Sequence, residues 1–283
     1  MSRKIISELR ANLGYLSSVE RRIAEQILDD PKRFITFSMS ELSELADVSQ
    51  GSIINFANKF SNGGYSNLKL QIAAGLSEIE PQPFSVVSSS DTVMNVLDKT
   101  TVNTAAALNS VADLNEEETL KTVADKILKA KKVEIYGVFR SGIVATDFYY
   151  QLLQLGIHVS AVSDVLNCAI SAAMLEKEAL VIAVSSSGKT KDIIDAVRMA
   201  KSKGVSVVCI TGNRNSPLAK MSDYVLVAPS SGRSISGNAC EVRFSQLLIA
   251  DTICSYLSSK IDEDSEKRYW DLRSVLESHN VED

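Results

Sequence analysis

Histidine, tryptophan and proline are scarce in this chain: two, one and five among 283 residues. His158 and His279 lie far apart in sequence, so no histidine-built metal site is expected and no metal is assigned. The four cysteines, Cys168, Cys209, Cys240 and Cys254, are scattered and lack the paired spacing of a zinc site. Cys209 and Cys254 lie in apolar runs and read as core thiols, which suits a reducing cytoplasm. No apolar run reaches eighteen residues, so no membrane span is expected. The opening Met1-Ser2-Arg3-Lys4-Ile5 leads directly into helix-like sequence without a signal-peptide pattern, and a cytoplasmic location is the expectation. Positive charge is not in excess either: the net charge is −5. Residues 1–78 hold nine basic and nine acidic residues, so the rest of the chain carries the whole deficit. The N-terminal part is the less acidic half without being basic.

What is present is enough apolar sequence, 45%, for globular cores, and enough length for two domains. The stretch Leu180 to Thr211 organises the larger one. An apolar run, Leu180 to Val184, breaks into Ser185-Ser186-Ser187-Gly188-Lys189-Thr190. An amphipathic helix pattern follows from Lys191 to Lys203, then Gly204, then a second apolar run, Val205 to Ile210. That order is a βαβ unit of a parallel sheet, in which ligands bind at the carboxyl ends of strands. Hydroxyls, a glycine and a helix N-terminus together suit a phosphate. The segment is not a nucleotide P-loop, because Ala183 stands where that pattern needs its upstream glycine. The short loop is sized for one phosphate monoester, with hydroxyls from Ser185, Ser187 and Thr190 and backbone N–H groups from about 186–190, including Ser186 and Gly188. An ordinary capped turn would use the same serines.

Strand-like runs recur at 133–138, 157–162, 180–184, 205–210 and 224–228. Helical patterns alternate with them at about 141–155, 166–176, 190–203, 215–221 and 239–259, which implies a parallel sheet with helices on both faces. The turn Gly137-Val138-Phe139-Arg140-Ser141-Gly142 matches the later loop after the first strand. Phe139 occupies the glycine position that would admit a pyrophosphate, so a nicotinamide is disfavoured and no cofactor is expected. Ser141 would face the same crevice from a second helix N-terminus, and Arg140 could pair with an anion or with a surface carboxylate. Asn238 to Glu241 reads as a capping box, or Glu241 contacts a sugar hydroxyl or serves as an isomerase base. Arg233 and Arg243 could each help hold an anion, whereas His158 sits at the strand end away from the turns. Tyr269 and Trp270 read as packing residues of a C-terminal helix.

Residues 1–78 are helical throughout. Capping boxes at Ser17–Glu20 and Ser38–Glu41 open two helices. A three-residue turn, Asp47-Val48-Ser49, separates the second from a helix carrying Ile53, Phe56 and Phe60. Two short helices across such a turn form a helix-turn-helix. Its second helix turns Gln50, Gly51, Ser52, Asn55 and Lys59 outward, and Gln and Asn read adenine edges while Lys reaches phosphate or guanine. The polar face could equally be the solvated side of a dimerisation or docking module. Glu80-Pro81-Gln82-Pro83 and Ser85 to Ser90 read as a linker, followed by a helix of about Thr92 to Leu114 capped by Asp91.

Taken together, residues 124–255 resemble a sugar isomerase (SIS) domain, marked by Gly137 to Gly142 and Ser185 to Thr190. Residues 1–77 resemble the winged-helix-like N-terminal domain of RpiR-type bacterial transcription regulators. The resemblance implies an all-α helix-turn-helix domain at 1–77, a linker at 78–91 and a three-layer α/β domain at 92–283. The latter would hold a five-stranded parallel sheet, flavodoxin-like in build. It implies a regulator of carbohydrate metabolism, amino sugars included, whose SIS domain senses a phosphorylated sugar while the head binds operator DNA as a homodimer or homotetramer. By that resemblance Ser141, Ser185, Ser187 and Thr190 hold the phosphate, and the loop reading adds Ser186 and Gly188; the family does not fix the sugar end, for which Arg140, Glu241 and Arg243 are the candidates from the sequence. Ser49, Gln50, Ser52, Asn55, Lys59 and Lys69 face DNA, and no residue is assigned a catalytic role. The alternative is an aldose–ketose isomerase of sugar phosphates with an accessory helical domain. Two departures reduce the charge available to DNA phosphates: Asn55 and Asn58 replace family arginines, and the helix exits through Phe60-Ser61-Asn62-Gly63-Gly64. Paired heads would then sum weak sites.

Overall fold

The computed structural model describes residues 3–61, 63–76, 87–229 and 240–260. The first part of the expected linker, Arg233, Asn238, Tyr269 and Trp270 lie outside the described residues. The chain divides into two compact units, Met1–Leu114 with Pro229–Ser245, and Asn115–Ala228 with Gln246–Asp283.

The first unit is helical: α1 Arg3–Asn12, α2 Ser18–Asp29, α3 Pro31–Phe34, α4 Met39–Ala46, α5 Gln50–Phe60, α6 Gly64–Leu76 and α7 Val93–Leu114. Both expected capping boxes form, Ser17 with Glu20 on α2 and Ser38 with Glu41 on α4. Each closes two backbone donors that the first helical turn leaves open. The turn between α4 and α5 needs a left-handed residue, and Asp47 supplies it at φ 50°. Ser43 is small where the helices converge, and its hydroxyl donates to the Val48 carbonyl. Ser49 N-caps α5, accepting from the Ser52 N–H at 3.2 Å. Leu42, Ala46, Ile53, Phe56, Phe60, Leu68 and Ile72 share one core with Ile23, Ile27 and Phe34. The long helix assigned from sequence to the start of the second domain packs in this unit: α1 lies against α7, and Ser7 Oγ donates to Asp113. Its cap differs from expectation. Thr92 receives the Asn95 N–H, because the Asp91 carboxylate is occupied by Lys99 and the Ser88 N–H.

The second unit begins with α8 Glu117–Lys129 and alternates strands with helices. Its strands are β1 Lys132–Tyr136, β2 Val159–Val162, β3 Ala179–Val184, β4 Ser206–Thr211 and β5 Tyr224–Val227. Its helices are α9 Arg140–Gln154, α10 Val165–Met174, α11 Lys191–Ser202, α12 Pro217–Met221 and α13 Cys240–Ser258, the last entering from the first unit. All four strand pairings are parallel, in the order β2-β1-β3-β4-β5. The expected five-stranded parallel sheet is therefore present. Every residue of β3 is buried, as a central strand covered on both faces requires. Val181, Ala183, Val207 and Cys209 pack with α10 and α11 on one face. At the β5 edge the Asn115 amide imitates a neighbouring strand, donating to the Val227 carbonyl and accepting its N–H. Cys168, Cys209 and Cys254 are free thiols in the core, and burial pushes Cys209 and Cys254 up to about 12.

One charge is buried in this sheet. Glu134 is 1% exposed, yet its carboxylate is fully partnered: Lys132 at 2.6 Å, Tyr136 at 2.6 Å, and Ser171. Burial raises its pKa, but hydrogen bonds from Lys132, Ser171 and Tyr136 outweigh that and hold it below the ordinary value.

Candidate anion site and nucleic-acid interface

Strand order decides where a ligand can enter. The chain leaves β1 for β2 on one side, while β3 lies on the other, so the sheet reverses between β1 and β3. A crevice opens at the carboxyl ends of strands at such a switch. Tyr136 pairs with Ala183 there, so the turn after β1 and the loop after β3 leave the sheet side by side. These are the Gly137–Gly142 turn and the Ser185–Thr190 loop. Both glycines of the turn are sterically required: a Cβ on Gly137 would lie 2.6 Å from the Ser141 carbonyl oxygen, and one on Gly142 2.9 Å from that of Gly137. Phe139 takes the N-cap position of α9 at φ 56° and gives no side-chain cap. Thr190 takes the N-cap position of α11 and gives none either. Two helix N-termini without side-chain caps thus flank the switch point, each with a positive dipole end; at α9 the Ser141 and Gly142 N–H groups are taken by the Val138 and Phe139 carbonyls.

The loop arranges its hydroxyls unequally. Ser185 is buried, and its hydroxyl meets that of Thr190 at 3.2 Å. Thr190, Ser187 and Ser141 are half-buried, and the Ser187 hydroxyl accepts the Lys189 N–H at 3.2 Å. Gly188 turns the loop at φ 61° and lies directly over Ser216. Ser186 faces away. Its carbonyl accepts from the Gly212 N–H at 2.9 Å and the Thr211 hydroxyl at 3.3 Å, and its hydroxyl from Gln246 Nε2 at 3.4 Å. Of the six residues expected at the phosphate, the structure brings Ser185, Ser187, Gly188 and Thr190 together, sets Ser141 on the neighbouring turn, and gives the Ser186 side chain to the loop's own support. Thr211, Ser216 and Gln246 were not anticipated. They follow no phosphate pattern, and only the placement of the β4–α12 turn and of α13 shows their part.

Arg140 opens α9 half-exposed. Glu241 and Arg243 lie in the first turn of α13 and fall in the other compact unit. Glu241 is buried, and the Arg243 guanidinium stands 5.5 Å from the Phe244 ring. His158 is at the opposite strand end, Nδ1 against the Lys131 carbonyl at 3.0 Å. Among the described residues, no group of His, Cys, Asp and Glu is placed to hold a metal ion.

On the helical unit, α5 buries Ile53, Phe56, Ala57 and Phe60 and exposes Gln50, Gly51, Asn55 and Asn58. Ser49 and Ser52 share a hydroxyl contact of 2.9 Å within the cap. Lys59 does not extend freely: it pairs with Glu20 of α2 at 2.6 Å. Lys69 donates to the Phe37 carbonyl at 2.8 Å and stands over the Tyr65 ring, tying α6 to the segment between α3 and α4. Arg22 pairs with Asp47 at 2.9 Å. Apart from Ile54, the exposed face is therefore polar and amide-rich; Lys59 and Arg22 are held by carboxylates of the same unit and Lys69 by a backbone carbonyl.

A helix-turn-helix unit followed by a doubly wound α/β unit is the build of a two-domain transcription regulator. Family comparison agrees. Residues 4–79 match the helix-turn-helix domain of the rpiR family, and residues 126–255 match the SIS domain. An uncharacterized HTH-type transcriptional regulator of Caldanaerobacter subterraneus subsp. tengcongensis is 30% identical over 275 residues, 97% of this chain and 95% of that protein. Bifunctional protein glk of Burkholderia thailandensis is 32% identical over 225 residues, 80% of this chain but 35% of that protein. The structure of the Vibrio vulnificus NanR protein complexed with ManNAc-6P shares the fold, with a TM-score of 0.62 at 23% identity over 98% of this chain and 100% of that one. This chain belongs to the rpiR family of helix-turn-helix transcriptional regulators. No helix among its described residues is long and apolar enough to cross a membrane.

Proposed function

We propose that this regulator senses a phosphorylated sugar at the β1/β3 switch point and adjusts operator binding accordingly. The observation that carries the reading is the pair of helix N-termini without side-chain caps, α9 and α11, at adjacent strand ends. Donors would come from the Ser187 and Thr190 hydroxyls, with Ser185 behind Thr190, and from the first N–H groups of α11. Ser141 would add a hydroxyl from the neighbouring turn. The phosphate is the anchor, and the sugar selects among phosphorylated metabolites. Vibrio vulnificus NanR, which shares the fold, is complexed with such a compound, ManNAc-6P, and that supports an amino-sugar phosphate as a candidate. The reading assigns no catalytic residue, and regulation rather than turnover is the activity.

The DNA contact falls to α5, with Gln50, Asn55 and Asn58 reading base edges from the major groove. Few free cations line that face, so one head binds weakly and a homo-oligomer sums two heads on paired half-sites. The exposed apolar residues Phe139, Ile143 and Tyr150 on α9 and Leu166, Ile170 and Met174 on α10 offer surface for a second copy to cover. The effector acts only if it binds the DNA-competent arrangement and its alternative unequally. A thermal-shift screen of sugars and their phosphates tests the proposal. A sugar phosphate that raises the melting temperature where its parent sugar does not supports it, since a specific ligand stabilises by mass action. A series in which phosphorylation makes no difference removes the anion site.

A further inference from the structure

We propose that Ile54 packs on the C5-methyl group of an operator thymine, in a close seat that Gly51 opens on α5. The proposal rests on the reading of α5 as the helix that enters the major groove. Its starting point is an apolar side chain that the core does not use. Ile53, Phe56, Ala57 and Phe60 bury the inner side of α5, each 7% exposed or less. Ile54 is 43% exposed. Val48 and Tyr65 pack against the core from its margin, and among the described residues Ile54 is not part of that packing. An exposed helical position free of packing is better filled by alanine, lysine or glutamine, because a β-branched side chain loses rotamer freedom against the preceding turn.

Gly51 lies one turn before Ile54 on the same side of the helix. Its backbone is helical, and a Cβ there would meet the Ser49 hydroxyl at 3.8 Å, an ordinary contact. Packing among the described residues therefore does not call for glycine, which costs stability inside a helix relative to alanine. Gly51, Ile54, Asn55 and Asn58 follow the spacing of one helix face, and all four are exposed. A gap beside an apolar branch, flanked by amides, is complementary to a surface outside the unit. In the major groove the thymine methyl is the apolar group on the base edges, and adenine presents the acceptor and donor that an Asn amide matches. Ile54 and Asn55 thus suit neighbouring A·T pairs of a half-site, and the missing side chain at Gly51 lets the helix approach the base edges. The methyl contact weighs more here because Lys59, Arg22 and Lys69 are held within the unit, which leaves less of the affinity to phosphates.

The test is mobility shift of the protein's own promoter fragment, made with thymidine or with deoxyuridine, which pairs alike but lacks the methyl. The full chain is compared with Ile54→Ala and Gly51→Ala, and Asn55→Ala serves as reference for α5 itself. The unaltered chain should bind the deoxyuridine fragment about fourfold more weakly per head, the worth of one buried methyl group. Ile54→Ala should show that loss on the thymidine fragment and no further loss on deoxyuridine, because both changes remove the same contact. Gly51→Ala should weaken binding to both fragments while its melting temperature holds or rises, opposite signs that a purely structural glycine would not give. An unaltered chain indifferent to deoxyuridine overturns the proposal, and this comparison stands whether or not Ile54→Ala folds. An Ile54→Ala variant that loses as much on deoxyuridine as the unaltered chain also overturns it, and is the pattern expected if a second copy covers Ile54. A Gly51→Ala variant that binds as well as the unaltered chain overturns the close seat. If Asn55→Ala weakens binding and the methyl makes no difference, only the Ile54 contact falls. If the unaltered chain retains neither fragment, or Asn55→Ala and Ile54→Ala both bind unchanged, the reading of α5 falls with it.

Discussion

The hydroxyls of Ser185 and Thr190 meet at 3.2 Å across the start of the loop that follows β3. Thr190 stands where a helix N-cap belongs, yet its hydroxyl turns to Ser185 and leaves the first N–H groups of α11 without a side-chain cap. A threonine is normally selected at that position for capping. Its diversion keeps the helix end open, and an anion is the group best matched to it. Thr190→Val keeps the shape and removes the hydroxyl. It should lower effector affinity by about 1–2 kcal/mol, one charge-assisted hydrogen bond, as read by calorimetry. Because no cap is lost, its melting temperature without ligand should stay close to that of the unaltered protein.

Gly188 carries a stronger constraint. Its φ is 61°, and a Cβ there would lie 2.1 Å from Ser216 Oγ and 2.5 Å from Ser216 Cβ. Gly188→Ala should cost about 1–3 kcal/mol from left-handed strain and the forced shift of Ser216 together. Urea denaturation would measure it. Adding Ser216→Gly removes the collision but not the strain, so the double variant should recover only part of the loss.

On the DNA-binding unit, Glu20 restrains Lys59 at 2.6 Å and also closes the capping box of α2. Glu20→Gln keeps a side chain able to accept the Ser17 N–H but gives up the charge that holds the lysine. Operator binding should tighten, and the slope of log affinity against log salt should steepen by about one phosphate contact. Mobility shifts at several salt concentrations read both. An unchanged slope would mean that Lys59 does not reach the DNA backbone.

The buried carboxylate of Glu134 makes stability depend on acid. Its folded pKa lies below the ordinary 4.5, held there by Lys132, Ser171 and Tyr136 against the opposing effect of burial. Its contribution is therefore fully present above that ordinary value and is lost as pH falls through the depressed folded value. Glu134→Gln should be less stable near neutral pH by about 1–2 kcal/mol and should lose less on acidification than the unaltered protein. Melting temperatures from neutral to acid pH give both curves.

Local sequence carried the elements well, because their signals are local. Ser17, Ser38 and Ser49 announced three helix starts, and the structure caps helices with all three. Asp47 was legible as the left-handed turn residue for the same reason. Apolar runs separated by helical periods marked five strands, and the short βαβ connections left parallel pairing as the simple solution. Long-range choices were less visible. The cap of α7 moved from Asp91 to Thr92 because Lys99, eight residues on, claimed the carboxylate. Lys59 and Lys69 looked free, but Glu20 and the Phe37 carbonyl reach them from elements distant in sequence. At the loop, hydroxyl count alone could not show that Ser186 turns inward, since Thr211, Gly212 and Gln246 lie far along the chain.

Occupancy of the Ser185–Thr190 loop is proposed to change the grip on DNA. Retention of the protein's own promoter fragment, measured while a stabilising sugar phosphate is titrated in, tests it most directly. The unaltered chain should shift its DNA affinity with the sugar phosphate, and Ser187→Ala should require a several-fold higher concentration for the same shift. DNA affinity that ignores every sugar phosphate, or a shift identical in Ser187→Ala, would contradict it.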